Sequence, residues 1–221
     1  MAVKPPVAGE ARRPGRPAKS SLDAAALIRA AALDVFARSG FNGASVAEIA
    51  RQAAVAKPLI HYHFANKDAL WQAAVGEAFE LLQAEMARFG LQLASRDREE
   101  MLRAMAMQLV TFAARYPQLV RIVVDETGKP GPRADWLRER YLLPGYQQAR
   151  RVLGAILPHA GEQTAFGPEH LVPLILGAMN FPFLEAGIIR QAYGVDVQAS
   201  AYIERHGALL YRLLATLALP A

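Results

Sequence analysis

From Lys67 almost to the C-terminal end, apolar residues recur at the three- and four-residue spacing of helices, and only Pro- and Gly-rich clusters interrupt them. Breaks fall at Tyr116-Pro117, at Gly128-Lys129-Pro130-Gly131-Pro132 and from Pro158 to Pro168. Proline enforces them, because it lacks a backbone donor and disfavours helical geometry in the residue before it. The spacing predicts helices near 67–93, 98–115, 117–126, 133–157, 168–192 and 198–218. No segment shows the period of two that a half-buried strand requires, so the expected fold class is all-α. Pro144, Pro173 and Pro182 lie within helical patterns and predict kinks.

Residues 1–20 contain four of the fourteen prolines and no apolar period, the pattern of a flexible arm. A helix then follows Ser20 and Ser21, either of which can cap it. Ile28, Ala32, Val35 and Phe36 share one face of that helix, and Ser39-Gly40 should end it, glycine taking the left-handed position. After the turn Phe41-Asn42-Gly43-Ala44, Ser45 opens a second helix with Glu48 three residues on, a capping box. That helix runs to about Gln52. A break at Ala53 to Ala56 leads to a short helix over Lys57 to Phe64, with Pro58 in its first turn and Ile60 and Phe64 facing inward. The order is that of a helix-turn-helix.

Charge adds direction. Residues 1–75 hold ten Lys+Arg against five Asp+Glu, and residues 76–221 hold fifteen of each. The whole excess of +5 sits in the first third, as expected of a polyanion-facing module on a neutral body. Cysteine is absent, which excludes disulfides, Cys-ligated zinc or iron–sulfur sites and thiol nucleophiles. The longest run without a charged residue or histidine is Leu171 to Leu184, short of the roughly 20 residues that span a bilayer. With no apolar leader at the start, the expectation is a cytoplasmic protein with no membrane partner. No Gly-rich phosphate loop, serine-nucleophile motif or metal-ligand spacing is present, so neither enzymatic activity, a metal nor a cofactor is expected. His61 and His63 are two apart, which on a helix turns them about 200° from one another and away from a shared metal.

The stretch Ala44-Ser45-Val46-Ala47-Glu48-Ile49-Ala50-Arg51-Gln52-Ala53-Ala54-Val55-Ala56-Lys57-Pro58-Leu59-Ile60-His61-Tyr62-His63-Phe64-Ala65-Asn66-Lys67-Asp68-Ala69-Leu70 resembles the DNA-binding signature of the TetR family of transcriptional regulators. Val35-Phe36-Ala37-Arg38-Ser39-Gly40-Phe41 looks like the end of that family's first helix, and the match covers about residues 22–70. Two positions depart from the family pattern: Ala54 where glycine is usual, and Ala56 where Ser or Thr is usual. Ala54 must then accept a strained turn or let the turn adjust. Ala56 cannot cap the third helix with a side-chain oxygen, a loss of roughly 0.5–2 kcal/mol. The resemblance implies a three-helix DNA-binding domain over 21–70 and an effector-binding and dimerisation domain over 71–221.

Residue chemistry supplies the contacts. The helix over 57–64 would enter the major groove, with Lys57 reaching a phosphate or a guanine. Pro58 and Leu59 offer apolar surface to a thymine methyl, and Tyr62 faces away from Ile60 and Phe64. His61 and His63 are expected to donate to phosphates, and Lys67 matches the family's phosphate-contacting lysine. Ser45 and the free N–H groups beside it form a further anion site. In the arm, Gly15-Arg16-Pro17 is similar to the core of an AT-hook, whose arginine enters a narrow A·T minor groove; the alternative is a basic tail without sequence preference.

In the body, Leu171, Leu174, Ile175, Ala178, Met179 and Pro182 form one apolar stripe, and Ile203, Leu210, Leu213, Leu214 and Leu217 another. Paired across a two-fold axis, the helices at about 168–192 and 198–218 would make a four-helix dimer seam. Met105, Phe112, Tyr116, Trp136, Tyr141, Tyr146, Asn180 and Phe183 are candidates to line a pocket for an apolar or aromatic small molecule. Asp125 and Glu126, just before the Gly/Pro loop, read as a solvated helix end, the alternative being that they meet a cation. The function expected is a ligand-responsive repressor, a dimer on a palindromic operator that a small molecule releases. The alternative is a helical protein-interaction adaptor without sequence-specific DNA binding.

Overall fold

The computed structural model describes residues 18–93, 97–156 and 167–218, and all regular structure among them is helical. The arm with Arg16, and most of the 158–168 break, lie outside the described residues. α1 (Ala18–Gly43) starts two residues ahead of Ser20, so neither serine caps it. Its regular part stops at Gly40, whose φ of 65° interrupts the helix. Glycine is needed there twice over, for that φ and because a Cβ would lie 3.1 Å from Asp125 Oδ2. α2 (Val46–Gln52), α3 (Lys57–His63), α4 (Lys67–Leu93), α5 (Arg98–Arg115) and α6 (Pro117–Thr127) follow the sequence punctuation closely. Asp97 caps α5 by accepting from the Glu100 N–H at 2.7 Å, and Asn66 caps α4 by accepting from the Ala69 N–H at 2.8 Å.

Two expected helices are interrupted. The 133–157 segment divides into α7 (Pro132–Leu137), a π-helical turn over Arg138–Leu142 and α8 (Leu143–Ile156). Pro144 accounts for the turn: it has no N–H, its ring crowds the carbonyl four residues back, and widening the ladder just ahead relieves both. The widening is visible in the Leu143 N–H, which donates to Arg138 O five residues back. The 168–192 segment becomes α9 (Pro168–Leu184) and α10 (Ala186–Tyr193), bent by 67° at Glu185, three residues after Pro182. α11 (Ser200–Ala218) completes the described chain, and no single helix within it is long and apolar enough to cross a membrane.

Two apolar clusters hold these helices together. The first joins Ile28, Val35 and Phe36 of α1 to Ile49, Ile60 and the α4 residues Leu70, Trp71 and Val75, and extends to Phe112, Leu119, Ile122, Leu137 and Tyr141. The boundary expected after residue 70 thus falls inside both α4 and this cluster. Within it the Trp71 and Trp136 ring centroids are 5.4 Å apart, linking α4 to α7. The second cluster packs Leu102, Ala106 and Val110 of α5 against Leu171, Met179 and Phe183 of α9 and Leu210 and Leu214 of α11.

The two apolar stripes are therefore split. Leu171, Met179, Leu210 and Leu214 are buried within the chain, whereas Leu174 and Leu213 are 63% and 52% exposed. Ile175, Ala178, Pro182 and Ile203 are half-buried, and the Leu217 side chain lies outside the described residues. Phe181, Ile188 and Leu209, absent from the stripes, are exposed. The uncovered apolar face is rotated from the one periodicity alone suggests.

Candidate nucleic-acid interface

The reading unit is built from its caps and its turn. Ser45, in extended geometry, accepts from the Glu48 N–H at 3.1 Å, which leaves its own hydroxyl proton free to donate. The Glu48 carboxylate accepts from Arg38 Nη2 at 3.4 Å. α2 is tied back to α1 by Arg38 Nη2 donating to Gln52 Oε1 at 2.8 Å and by Gln52 Nε2 donating to Asp34 Oδ2 at 3.2 Å. The other Asp34 oxygen accepts from Gln118 Nε2 of α6 at 2.9 Å, so one carboxylate joins α1, α2 and α6. This bridge was not anticipated; its only trace in the sequence is an acidic residue directly before the buried pair Val35-Phe36.

The turn resolves the question posed by Ala54. Its φ is 53°, a left-handed conformation, flanked by bonds from Ala53 N–H to Ile49 O at 2.8 Å and from Val55 N–H to Ala50 O at 3.0 Å. The strain is accepted and the turn keeps its geometry. Ala56 stands at the N-cap of α3 with φ −70° and ψ 136°, and no side chain caps the helix there.

α3 then presents two faces. Ile60 is buried, while Leu59 and Phe64 are partly buried against the same cluster. Lys57, Pro58 and His61 are exposed, and Tyr62 is 78% exposed, the largest free aromatic surface on α3. His63 lies between these faces: its Nε2 is buried without a hydrogen-bond partner among the described residues, and its ring meets Tyr62 edge-on at 5.1 Å. Ser45, Lys57, Pro58, His61 and Tyr62 are thus presented outward, and His63 and Leu59 only in part. Lys67, at the start of α4, lies 4.5 Å over the Phe41 ring. Among the described residues no group of three or more His, Asp or Glu could hold a metal ion.

The eight candidate pocket residues do not converge. Phe112, Tyr116, Trp136 and Tyr141 belong to the first cluster, and Met105 and Phe183 to the second. Tyr146 is 44% exposed, and Asn180 Nδ2 donates to Leu176 O of its own helix at 2.9 Å. Trp136 and Tyr141 do line one open groove of about 490 Å³ between α1, α4 and α7. Its other walls are mostly polar, including Arg29, Gln72, Glu77, Glu80 and Arg140, and Arg29 forms a two-bond pair with Glu77 at 2.8 Å. Of Asp125 and Glu126, the first keeps much of its side chain in solvent and the second does not. Asp125 is paired with Lys129, and Glu126 is buried and accepts from Arg133 Nε at 3.1 Å.

Comparison with known proteins agrees with this geometry. Residues 28–74 match the family described as bacterial regulatory proteins, tetR family. Along the chain, 186 residues are 21% identical to the "Probable HTH-type transcriptional regulator YttP" of Bacillus subtilis, covering 82% of this chain and 84% of that one. A shorter stretch of 99 residues is 28% identical to the HTH-type transcriptional repressor NicS of Pseudomonas putida, covering 45% and 46%. The fold is similar to that of a transcriptional regulator from Rhodococcus sp. RHA1, with TM-score 0.62, 22% identity and coverage of 89% and 98%. It is also similar to the fatty acid degradation regulator FadR from Bacillus halodurans, with TM-score 0.61, 18% identity and coverage of 85% and 94%. The helix-turn-helix thus lies within residues that match the DNA-binding domain of the tetR family of bacterial regulatory proteins, and the all-helical body that follows is similar in fold to solved transcriptional regulators.

Proposed function

We propose that the protein is a one-component repressor: a dimer that reads a palindromic operator through α3 and is released by a small-molecule effector. The observation that carries the reading is the outward face of α3, where Lys57, Pro58, His61 and Tyr62 stand free on a helix anchored from behind by Ile60. Lys57 supplies a charge for phosphate or guanine, Pro58 an apolar edge and Tyr62 an aromatic one. Ser45 and Lys67 flank that face and are assigned to phosphates, and Arg16 of the arm to an A·T-rich minor groove. Residues 21–70 then act as the reading domain and 71–221 as the domain that pairs and senses.

Dimer formation is supported by the exposed apolar residues Leu174 and Phe181 of α9, Ile188 of α10 and Leu209 and Leu213 of α11, which a lone chain leaves in water. The sensing role rests on the second cluster, where the Phe183 and Tyr202 rings meet edge-on at 6.4 Å and to which Met105 also belongs, apolar and aromatic surroundings suited to an apolar effector. Release requires that the effector bind the DNA-incompetent state more tightly.

The test is to incubate the protein with fragmented genomic DNA of its source and sequence what is retained. Enrichment of a short inverted repeat is expected. Lys57→Ala with Tyr62→Ala should abolish that preference while leaving the dimer intact; an unchanged footprint would remove α3 from the role of reader.

A further inference from the structure

We propose that Arg133, at the start of α7, is a positioning residue for the DNA interface, acting through Lys67 and Asp68 at the start of α4. The inference rests on the DNA-binding reading above and extends it to a residue of the body. Arg133 occupies a junction of three elements. Its Cζ lies 3.6 Å from the centre of the Phe41 ring, just past the end of regular α1. Its Nε donates to Glu126 Oε2 of α6 at 3.1 Å, and its Nη1 to Asp68 Oδ1 of α4 at 3.2 Å. The side chain is 25% exposed, and Glu126 is the one buried charged residue among those described.

A planar guanidinium suits this junction, since it stacks on a ring while its separate N–H groups reach separate carboxylates. Glu126 needs a cation because a buried carboxylate without one is costly. Asp68 needs one for a different reason. It neighbours Lys67, whose Nζ lies 4.5 Å over the same Phe41 ring and has no carboxylate partner among the described residues. An unneutralised Asp68 would repel the phosphate that Lys67 is assigned to hold and would compete for its ammonium. Arg133 therefore fixes the ring on which Lys67 rests and cancels the charge that would draw Lys67 away from DNA. It does this from α7, about 65 residues from Asp68 in sequence.

The test is a mutant cycle on the duplex that the intact chain enriches, or on a random 40-base-pair duplex if none is enriched. Arg133→Gln is combined with Glu126→Gln so that no carboxylate is left buried alone. Circular dichroism confirms that the double variant is folded. Its affinity is expected to fall about tenfold, the size of one charge-assisted contact. In a Lys67→Ala background the same pair of changes should cost less than about twofold, because the route to DNA is already gone. Adding Asp68→Asn to the double variant should restore affinity to within about threefold of the intact chain. If the double variant does not fold, Arg133→Lys keeps the charge but loses the planar fork, and a loss of about threefold is expected from it.

A full tenfold loss in the Lys67→Ala background would show that Arg133 touches DNA itself or merely supports the fold, and would overturn the inference. An intact chain that binds DNA and a folded double variant that binds equally well would overturn it alone. An intact chain that binds neither duplex would overturn the DNA-binding reading, and this inference with it.

Discussion

Ala54 is the non-glycine residue with positive φ among those described, at 53°, and it is exposed, so nothing packed against its methyl holds it there. The left-handed conformation costs an L-residue about 1–2 kcal/mol that glycine does not lose. Ala54→Gly should therefore raise stability by about 1 kcal/mol, less the entropy that glycine gains in the unfolded chain. Two residues on, Ala56 already has the extended backbone of a capping residue. Ala56→Ser should offer a side-chain acceptor to the Leu59 N–H, which now donates to the Ala56 carbonyl at 2.9 Å. Since Pro58 has no N–H to cap, the gain should be about 0.5 kcal/mol, the lower end of the capping range. Urea midpoints at unchanged slope would check both. The sequence located the difficulty at these two alanines, because two helices joined by a short turn leave few positions to bend. Whether Ala54 would yield or the turn would, it could not say: that depends on the competing backbone bonds of Ala53 and Val55.

Helix limits were legible because their signals are local. Asp97 before α5, Pro117 opening α6 and Gly40 closing regular α1 each act within one turn. Relations between helices were not, and Gly76 illustrates why. It sits inside α4, where glycine costs about 1 kcal/mol relative to alanine. The return is space: a Cβ there would lie 3.0 Å from Tyr141 Oη and 4.0 Å from Trp136 Cη2. Tyr141 cannot readily retreat, being stacked on Phe79 at 4.4 Å and met edge-on by Trp136 at 5.2 Å. Gly76→Ala is therefore expected to destabilise the chain by about 1 kcal/mol in spite of its better helix propensity. In a Tyr141→Phe background, with the hydroxyl gone, the same change should become neutral or stabilising. Thermal unfolding of the four proteins of that cycle would decide; equal effects in both backgrounds would detach Gly76 from Tyr141. The π turn that delivers Tyr141 had one visible cause, Pro144, but proline announces only that a helix must change, not that it will widen.

For the whole molecule, periodicity could assemble the apolar stripes but not divide them between the chain's own core and a partner. Leucines and phenylalanines serve both purposes, and only packing turned Leu210 and Leu214 inward and left Leu209 and Leu213 outward. If the outward set is the seam, Phe181→Asp should yield a monomer at micromolar concentration with helix content retained, since an unpaired carboxylate would have to be buried to pair the chains. Sedimentation velocity reads this directly, and persistence of the dimer would move the seam elsewhere. The contacts of Arg133 with Phe41, Asp68 and Glu126 lay equally beyond the sequence, since nothing local to any of the four residues names the others. The indole pair of the first cluster has a practical meaning of its own. The chain has two tryptophans, and both sit where α4 meets α7, their rings 5.4 Å apart. Intrinsic emission and near-ultraviolet dichroism of the unmodified protein are therefore dominated by a single joint. Any small molecule that shifts α7 against α4 should announce itself as a spectral change, so a library of compounds can be screened with light alone, before the operator is known.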